Sequence, residues 1–449
     1  MRLPERPPKI KHQQLIAALQ DRAFSPPGGN VRRDDYLHWD KLRHLSPPAG
    51  LTHEQWWVLT KLGRQAGYRS TPLLDAQGRP FVFVVPDRAG MDLHMIDRDA
   101  AGKILMDEHV ATSAARDRYV VSSLMEEAIR SSQIEGAAVT RQVAKEMLRT
   151  ARRPKDKGER MIVNNYLAMQ HIVQHQGRPL TRDLLMQLQR ILTEGAADVP
   201  DAAGRLRRPG EPIRVVSFEG EVLHEPPPAA QLDERIDRML AFANEGREAG
   251  TQTAMIHPVV RAIVLHFWLA YDHPFADGNG RTARALFYWS MLSAGYWLFE
   301  FVSISSQIRR SITQYGRAFL ETETDENDLT YFLVYHLKVI CQAIDELVLV
   351  LRQKTKRLQD VEARLRGADG LNHRQVAILG HALRHAGAMY TAVSHQRSHN
   401  VTNQTARQDL LDLAARGLLD KRKRGRQFVF FPSPRLEATL TAMGDSADA

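Results

Sequence analysis

The stretch His273-Pro274-Phe275-Ala276-Asp277-Gly278-Asn279-Gly280-Arg281-Thr282-Ala283-Arg284 constrains this chain more than any other. It lies between two apolar runs, residues 259–271, interrupted mainly by Arg261 and His266, and residues 285–297. Both runs have helical length and few breakers, so the pattern predicts two buried helices joined by a compact polar loop. Two glycines flanking Asn279 allow the backbone to turn and to approach a ligand closely. A helix that opens on such a loop presents unsatisfied amides, which form an anion seat. Arg281 and Arg284, three residues apart, share one helical face. His273 can move a proton near neutral pH, and Asp277 can hold a hard cation such as magnesium. A base, a metal carboxylate, an amide cradle and two arginines are the groups that chemistry on a nucleotide phosphate requires.

At 449 residues the chain has room for two or three domains, and its 43% hydrophobic, 25% charged composition is that of a globular protein. No apolar stretch reaches the roughly 18 residues of a membrane span, so no membrane partner is expected. Residues 1–11 are basic and proline-rich without an apolar segment, which argues against a secretory signal. Cys341 is the single cysteine, so no internal disulfide forms. It stands in the apolar run 333–347 and is expected in the core, and a reducing, cytoplasmic setting fits. A net charge of +9 and a pI near 9.6 suggest an acidic partner such as nucleic acid.

Residues 1–104 read as an N-terminal extension with a small mixed domain: a proline-rich arm with a helical pattern at 12–22, then a helix at 54–66 capped by Thr52, and a strand at 79–85. Trp57, Leu59 and Leu62 are expected to line the buried stripe of that helix. Residues 105–351 read as a helical core, with helices at 107–130, 140–149, 159–174, 181–192, 231–244, 257–271, 280–294, 305–320 and 329–351. A hairpin at 211–225, stopped by Pro226-Pro227-Pro228, interrupts them. Residues 352–370 continue the preceding helix as a charged helical linker ended by Gly367 and Gly370. In residues 371–432, helices at 374–384, 391–398 and 403–416 precede a strand–turn–strand with the basic run 421–426, the outline of a winged helix-turn-helix. The tail, 433–449, is expected to be poorly ordered at its end. The predicted fold class is mainly α.

Residues 273–281 match, without a departure, the signature His-Pro-Phe-x-Asp/Glu-Gly-Asn-Gly-Arg of the Fic family of nucleotidyl transferases, and Arg284 supplies the second arginine of its extended form. The chain therefore resembles that family over residues 105–350. The resemblance implies a Fic-type helical core with a β-hairpin flap that transfers AMP from ATP to a Ser, Thr or Tyr hydroxyl of a protein, itself included, and releases pyrophosphate. It makes His273 the general base, Phe275 a core anchor and Asp277 the Mg2+ ligand. Gly278, Asn279 and Gly280 become the phosphate cradle, with an Asn279 side-chain donor to the α-phosphate. Arg281 and Arg284 become the partners of the β- and γ-phosphates.

Upstream, Ser131-Ser132-Gln133-Ile134-Glu135-Gly136 carries the Ser-x-x-x-Glu-Gly pattern of the family's inhibitory helix, in Ser131, Glu135 and Gly136. Read alone it is a helix end with a surface charge and a glycine cap. With the resemblance, Glu135 pairs with Arg284 and blocks the γ-phosphate. Some relatives also use this glutamate to remove AMP. The hairpin takes the place of the flap that aligns a target by strand addition. Tyr315 stands where relatives have a tyrosine pair, but Gly316 follows it, which opens the choice of base to other nucleotide donors. The resemblance also implies a C-terminal winged helix. There Asn403, Gln404 and Arg407 would face DNA bases from a recognition helix, and Lys421 and Arg422 would lie on phosphates. Proteins of this arrangement often form homodimers. The competing readings are a DNA-binding regulator whose Fic domain senses ATP, and a metal hydrolase built on His257, His266, His273 and Asp277.

Overall fold

The computed structural model describes residues 2–9, 36–101, 113–199, 201–211, 213–217, 220–246, 256–367, 370–385, 387–424 and 427–445. The helical pattern at 12–22, the first part of the helix expected from 107, the hairpin tip at 218–219, the wing tip at 425–426 and the last residues from 446 lie outside the described residues. The chain divides into two compact units, one within Met1–Ile104 and Ser122–Ile344, the other within Leu105–Val121 and Asp345–Ala449.

The fold is mainly α. In chain order come α1 (Trp39–Leu42), α2 (His53–Gln65), β1 (Arg69–Leu74), β2 (Pro80–Phe83), α3 (Asp87–Ile96), α4 (Ser113–Ile134), α5 (Arg141–Thr150), α6 (Lys157–His175), α7 (Arg182–Thr193), β3 (Val215–Val216), β4 (Val222–His224), α8 (Leu232–Asn244), α9 (Pro258–Asp272), α10 (Asn279–Ser293), α11 (Ile304–Arg310), α12 (Ile312–Thr324) and α13 (Thr330–Gly367). Local chemistry sets many of the starts. Thr52 forms a capping box with Gln55, and the side chains of Thr140, Asp156 and Thr181 each accept from an amide of the first turn. Each such cap stabilises its helix by ~1 kcal/mol.

The centre of the first unit is the pair α9 and α10. Both are apolar nearly all round and buried along almost their whole length, Trp268, Phe287, Tyr288 and Trp289 included. A helix apolar on every side belongs in the interior, and α10 also packs on α6 and α7. The loop between α9 and α10 is therefore held at both ends by a buried helix.

Several expectations change. The buried side of α2 is Trp56, Trp57, Val58 and Lys61, while Leu59 and Leu62 are half-buried. Lys61 turns inward because its Nζ donates to Asp325 Oδ1 at 2.8 Å and lies 3.7 Å from Asp328 Oδ2. The strand at 80–83 has a partner, β1, and Val82 exchanges backbone hydrogen bonds with Asn327 (3.1 Å) and Leu329 (2.8 Å). The N-terminal elements thus share one unit with the helices. The helix expected at 305–320 is two helices, broken at Ser311 (φ −129°, ψ 39°). As expected, the helix at 329–351 continues through the charged linker and ends at Gly367. Cys341 is half-buried.

The second unit contains α14 (His373–Arg384), α15 (Ala392–His399), α16 (Asn403–Ala415), β5 (Leu419–Arg424), β6 (Gln427–Pro432) and α17 (Leu436–Asp445). β5 and β6 pair antiparallel in continuous register from Leu419↔Pro432 to Arg424↔Gln427, and Tyr390 adds a bridge to Phe430. The core includes Leu379, Leu410, Leu413, Leu418 and Phe430. The first part of the tail forms α17, because Leu436 and Leu440 join that core; its end lies outside the described residues.

Candidate active site

Helix α9 ends at Asp272, and His273 caps it in the left-handed region (φ 45°, ψ 54°). That conformation costs a non-glycine residue about 1 kcal/mol, so its surroundings must enforce it. Arg207, buried, does so with backbone acceptors: its Nε donates to His273 O (2.9 Å) and its Nη2 to Asp272 O (3.3 Å) and to Pro227 O. Its main-chain N–H donates to Pro274 O at 2.9 Å. On the other side the buried Asp272 carboxylate accepts from Arg235 Nε (2.8 Å) and Trp268 Nε1 (2.9 Å).

His273 Nδ1 lies 3.2 Å from Ala270 O. A carbonyl only accepts, so Nδ1 carries the hydrogen and Nε2 keeps the lone pair of a base. Burial pushes the imidazole down to about 4, opposed by the Ala270 hydrogen bond and reinforced by the nearby charge of His224. The ring is therefore neutral, and able to accept a proton, across the physiological range.

The loop after His273 is rigid for identifiable reasons. Phe275 is fully buried. The Asn279 side chain accepts from Phe275 N (2.9 Å) and donates to Phe275 O (2.8 Å). The amide expected to face a phosphate is thus directed at the loop itself. Gln189 Nε2 donates to Asp277 O at 3.0 Å. Gly278 adopts φ +82°, and a Cβ there would lie 2.6 Å from Thr193 Cγ2, so only glycine fits. No side chain caps α10, which leaves its first amides for an anion.

Arg281 is 2% exposed; its Nη1 donates to Leu192 O (2.8 Å) and its Nη2 to Asp277 Oδ1 (3.2 Å). Among the described residues, its buried Nε–H meets no acceptor. A buried cationic donor without a partner beside an uncapped helix start is what an anionic ligand would satisfy. Asp277 is partly exposed, and its Oδ2 accepts from Asp198 N at 3.0 Å. One accessible carboxylate next to a phosphate seat suits magnesium, which takes few protein ligands and keeps phosphate and water for the rest. Among the described residues no three metal-ligating side chains gather. The expected alternative set is dispersed: His257 Nε2 faces Asp97 (3.1 Å) and His266 Nε2 faces the Tyr315 hydroxyl (2.9 Å). A cavity of about 520 Å³ is lined by Glu135, Asp277 and Arg281 together with Asp156, Lys157 and Asp198.

Arg284 meets the upstream segment. It is 1% exposed, its Nε donates to Ser131 Oγ (2.8 Å), and its Nη2 donates to Ser131 O (3.0 Å) and Glu135 Oε1 (2.9 Å). Gly136 follows with φ +92° and turns the chain away after α4. A Cβ on Gly280 would collide with the Glu135 carboxylate, so Glu135 lies directly over the first turn of α10. Burial raises the Glu135 carboxyl, but Arg284 and Arg281 outweigh it and hold the group below the usual carboxylate range. Helix α4 is anchored two turns earlier by the buried Glu127, which accepts from Tyr288 Oη (2.8 Å), Ser303 Oγ (2.8 Å) and Ser305 N (3.1 Å).

Strands β3 and β4 form the expected hairpin, with Val215, Val216 and Val222 exposed. In the second unit Asn403, Gln404 and Arg407 are exposed on the first turns of α16, and Lys421 and Arg422 are exposed on β5. Sequence reasoning missed Arg207, Gln189, Glu127 and the Arg235–Asp272 pair. The basic cluster Arg205, Arg207, Arg208 is visible in the sequence, but its main partners at the loop are carbonyls, which leave no trace in residue identity.

The Fic/DOC family profile matches residues 179–291. The chain is 37% identical over 73 residues to the protein adenylyltransferase Fic of Culex quinquefasciatus and 33% identical over 115 residues to that of Drosophila melanogaster. These alignments cover 16% and 26% of this chain, and span only 14% and 20% of the length of those relatives. Among solved structures, a Fic family protein from Desulfovibrio desulfuricans G20 superposes with a TM-score of 0.48 at 18% identity, covering 77% of this chain and 94% of that one. Fic-1 (residues 134–508) of C. elegans gives 0.44 at 20% identity, covering 60% and 74%. With the signature loop at its expected place between two buried helices, residues 179–291 of this chain are a Fic/DOC-family domain.

Proposed function

We propose that this chain is an auto-inhibited protein adenylyltransferase, and the observation that carries the proposal is Arg284 held by Ser131 and Glu135 over the open N-terminus of α10. The substrate phosphates would enter the cavity at Asp277 and Arg281, with the α10 amides and the free Arg281 Nε–H as donors. Asp277 would hold magnesium, which when bound supplies charge neutralisation on the phosphates. His273 Nε2 takes the proton of the target hydroxyl; the hydroxyl oxygen forms a bond to the α-phosphorus, the bond from that phosphorus to the bridging oxygen breaks, and pyrophosphate leaves with the electron pair. Rigid positioning and fixed positive charge supply the rate enhancement. The exposed free edge of the β3–β4 hairpin is the seat for the target segment.

Glu135 restrains this reaction in two ways. Its carboxylate competes with phosphate for Arg284, and it places negative charge over the anion seat. Incubation of the parent and its Glu135→Gly variant with labelled ATP, GTP, CTP and UTP tests the reading: a labelled protein band, stronger in the variant and strongest with ATP, is expected. Absence of label in both would favour a nucleotide sensor, and label from another nucleotide would reassign the donor. Pre-modified protein returned to the parent enzyme tests AMP removal, which would release free AMP.

A second reading adds nucleic-acid contact by the second unit. It is favoured by the exposed Asn403, Gln404 and Arg407 at the start of α16 and by the exposed Lys421 and Arg422 of β5. Binding to duplex DNA that weakens steeply as salt rises is the expected result; salt-independent or absent binding would leave this unit a protein-contact module.

A further inference from the structure

The hairpin that would seat the target is too short to hold itself. Its ladder consists of Val215↔His224 and Val216↔Val222, with a register irregularity between them. A two-stranded hairpin is marginal in water even when longer. Three of its four ladder residues, Val215, Val216 and Val222, expose 36% or more of their surface; His224, at 8%, is the one that is buried.

The two ring nitrogens of His224 meet two acceptors. Nε2 lies 2.7 Å from Tyr271 O, and Nδ1 lies 2.8 Å from Glu323 Oε2. A backbone carbonyl cannot donate, and an ionised carboxylate cannot donate, so both nitrogens satisfy their partners only when both carry hydrogen. We infer that His224 is held as an imidazolium and, given the reading of this hairpin as the target seat, is a positioning residue that pins the seat to the catalytic loop through the end of α9. Tyr271 stands two residues before His273, and the His224 and Tyr271 rings lie 4.8 Å apart, so the pin sets the hairpin against the base.

The charged surroundings agree. Glu323 faces the ring from α12, and Asp272, shared with Arg235 of α8, from α9; Arg207 and His273 contribute positive or neutral groups behind the loop. Burial disfavours the charge, but the hydrogen bond and charge of Glu323 prevail, and the imidazole is raised above its ordinary value. A raised folded value means that the pin is complete below the ordinary histidine range and is lost as pH rises through the raised value. A cation at this point also helps to keep His273 neutral.

The test uses the full chain and a readout independent of catalysis. Hydrogen-exchange protection of Val215, Val216, Ser217, Glu221 and Val222 is measured across pH in the parent, in Glu323→Gln, which keeps shape and removes charge, and in His224→Gln. Protection in the parent is expected to fall as pH rises through the His224 titration, and both variants are expected to lose roughly tenfold protection, the worth of a charge-assisted hydrogen bond. In the Glu135→Gly background they are expected to raise KM for a peptide target while ATP affinity stays unchanged. Nitrogen-15 spectra should show both His224 nitrogens protonated at neutral pH. Protection that is independent of pH and unchanged in Glu323→Gln, or a His224 ring with one bare nitrogen, would overturn the pin whatever the fate of the transferase reading. Loss of protection with an unchanged peptide KM would leave a pinned hairpin that is not the target seat.

Discussion

Replacing Glu135 by Gln or Gly should raise affinity for a nucleoside triphosphate while lowering the stability of the free protein. The magnitude follows from the pair. Arg284's side chain is 2% exposed, but that of Glu135 is 31% exposed, at 2.9 Å. A hydrogen bond to a charged group contributes ~1.5–3 kcal/mol when buried and an exposed ion pair below ~1 kcal/mol, so this half-open pair contributes about 1–2 kcal/mol. That is roughly 5- to 30-fold in the population of Arg284 free to meet a phosphate. Ser131 still accepts from Arg284 in either variant, so the fold should survive. Calorimetric titration with a non-hydrolysable ATP analogue and with ADP is the assay. The gain should appear with the triphosphate and be small with the diphosphate, and melting of the ligand-free variants should come at lower temperature. Equal triphosphate affinity in parent and both variants would refute the idea that Glu135 and phosphate compete for Arg284.

Three further outcomes are expected. Arg207→Met removes the side-chain donor shared by Asp272 O, His273 O and Pro227 O; it should lower stability by about 1–3 kcal/mol and cut transfer at least ~10-fold with ATP affinity nearly intact, read by denaturant melts and single-turnover kinetics. Gly278→Ala forces a Cβ to 2.6 Å from Thr193 Cγ2 at φ +82° and should destabilise by ~1–3 kcal/mol, measured by calorimetry. Because burial lowers His273 to about 4, the neutral base persists above that value. The transfer rate of Glu135→Gly should therefore hold level on acidification through the ordinary histidine value of ~6.5 and fall only nearer 4, in a pH–rate profile.

Much of the site was legible because its chemistry is contiguous. His273, Asp277, the glycines and both arginines sit within one loop and one helical turn, so local rules of turns, helix starts and charge spacing were enough to group them. Glu135 and Ser131 were legible only through the family resemblance, since 149 residues separate Glu135 from Arg284 and no local pattern pairs them. Arg207 and Gln189 escaped because carbonyl oxygens are their partners at the loop, and every residue has one; His224 escaped because its carboxylate partner, Glu323, is 99 residues away. Helix boundaries fared well where Thr or Asp capped them. They failed at Ser311, where no glycine or proline signals the break. The buried side of α2 was misread at Lys61, whose inward turn depends on two aspartates more than 260 residues away. The tail helix was missed because Leu436 and Leu440 gain their reason to be helical only from the core they cover.

We propose that the loop from His273 to Arg284 transfers AMP to protein and that Glu135 restrains it. Intact-mass measurement after incubation with ATP and magnesium tests it most directly, on Glu135→Gly and on Glu135→Gly combined with His273→Ala. Mass increments of one or more AMP groups are expected on the single variant and none on the double variant. An unmodified single variant, or equal modification of both, would contradict it.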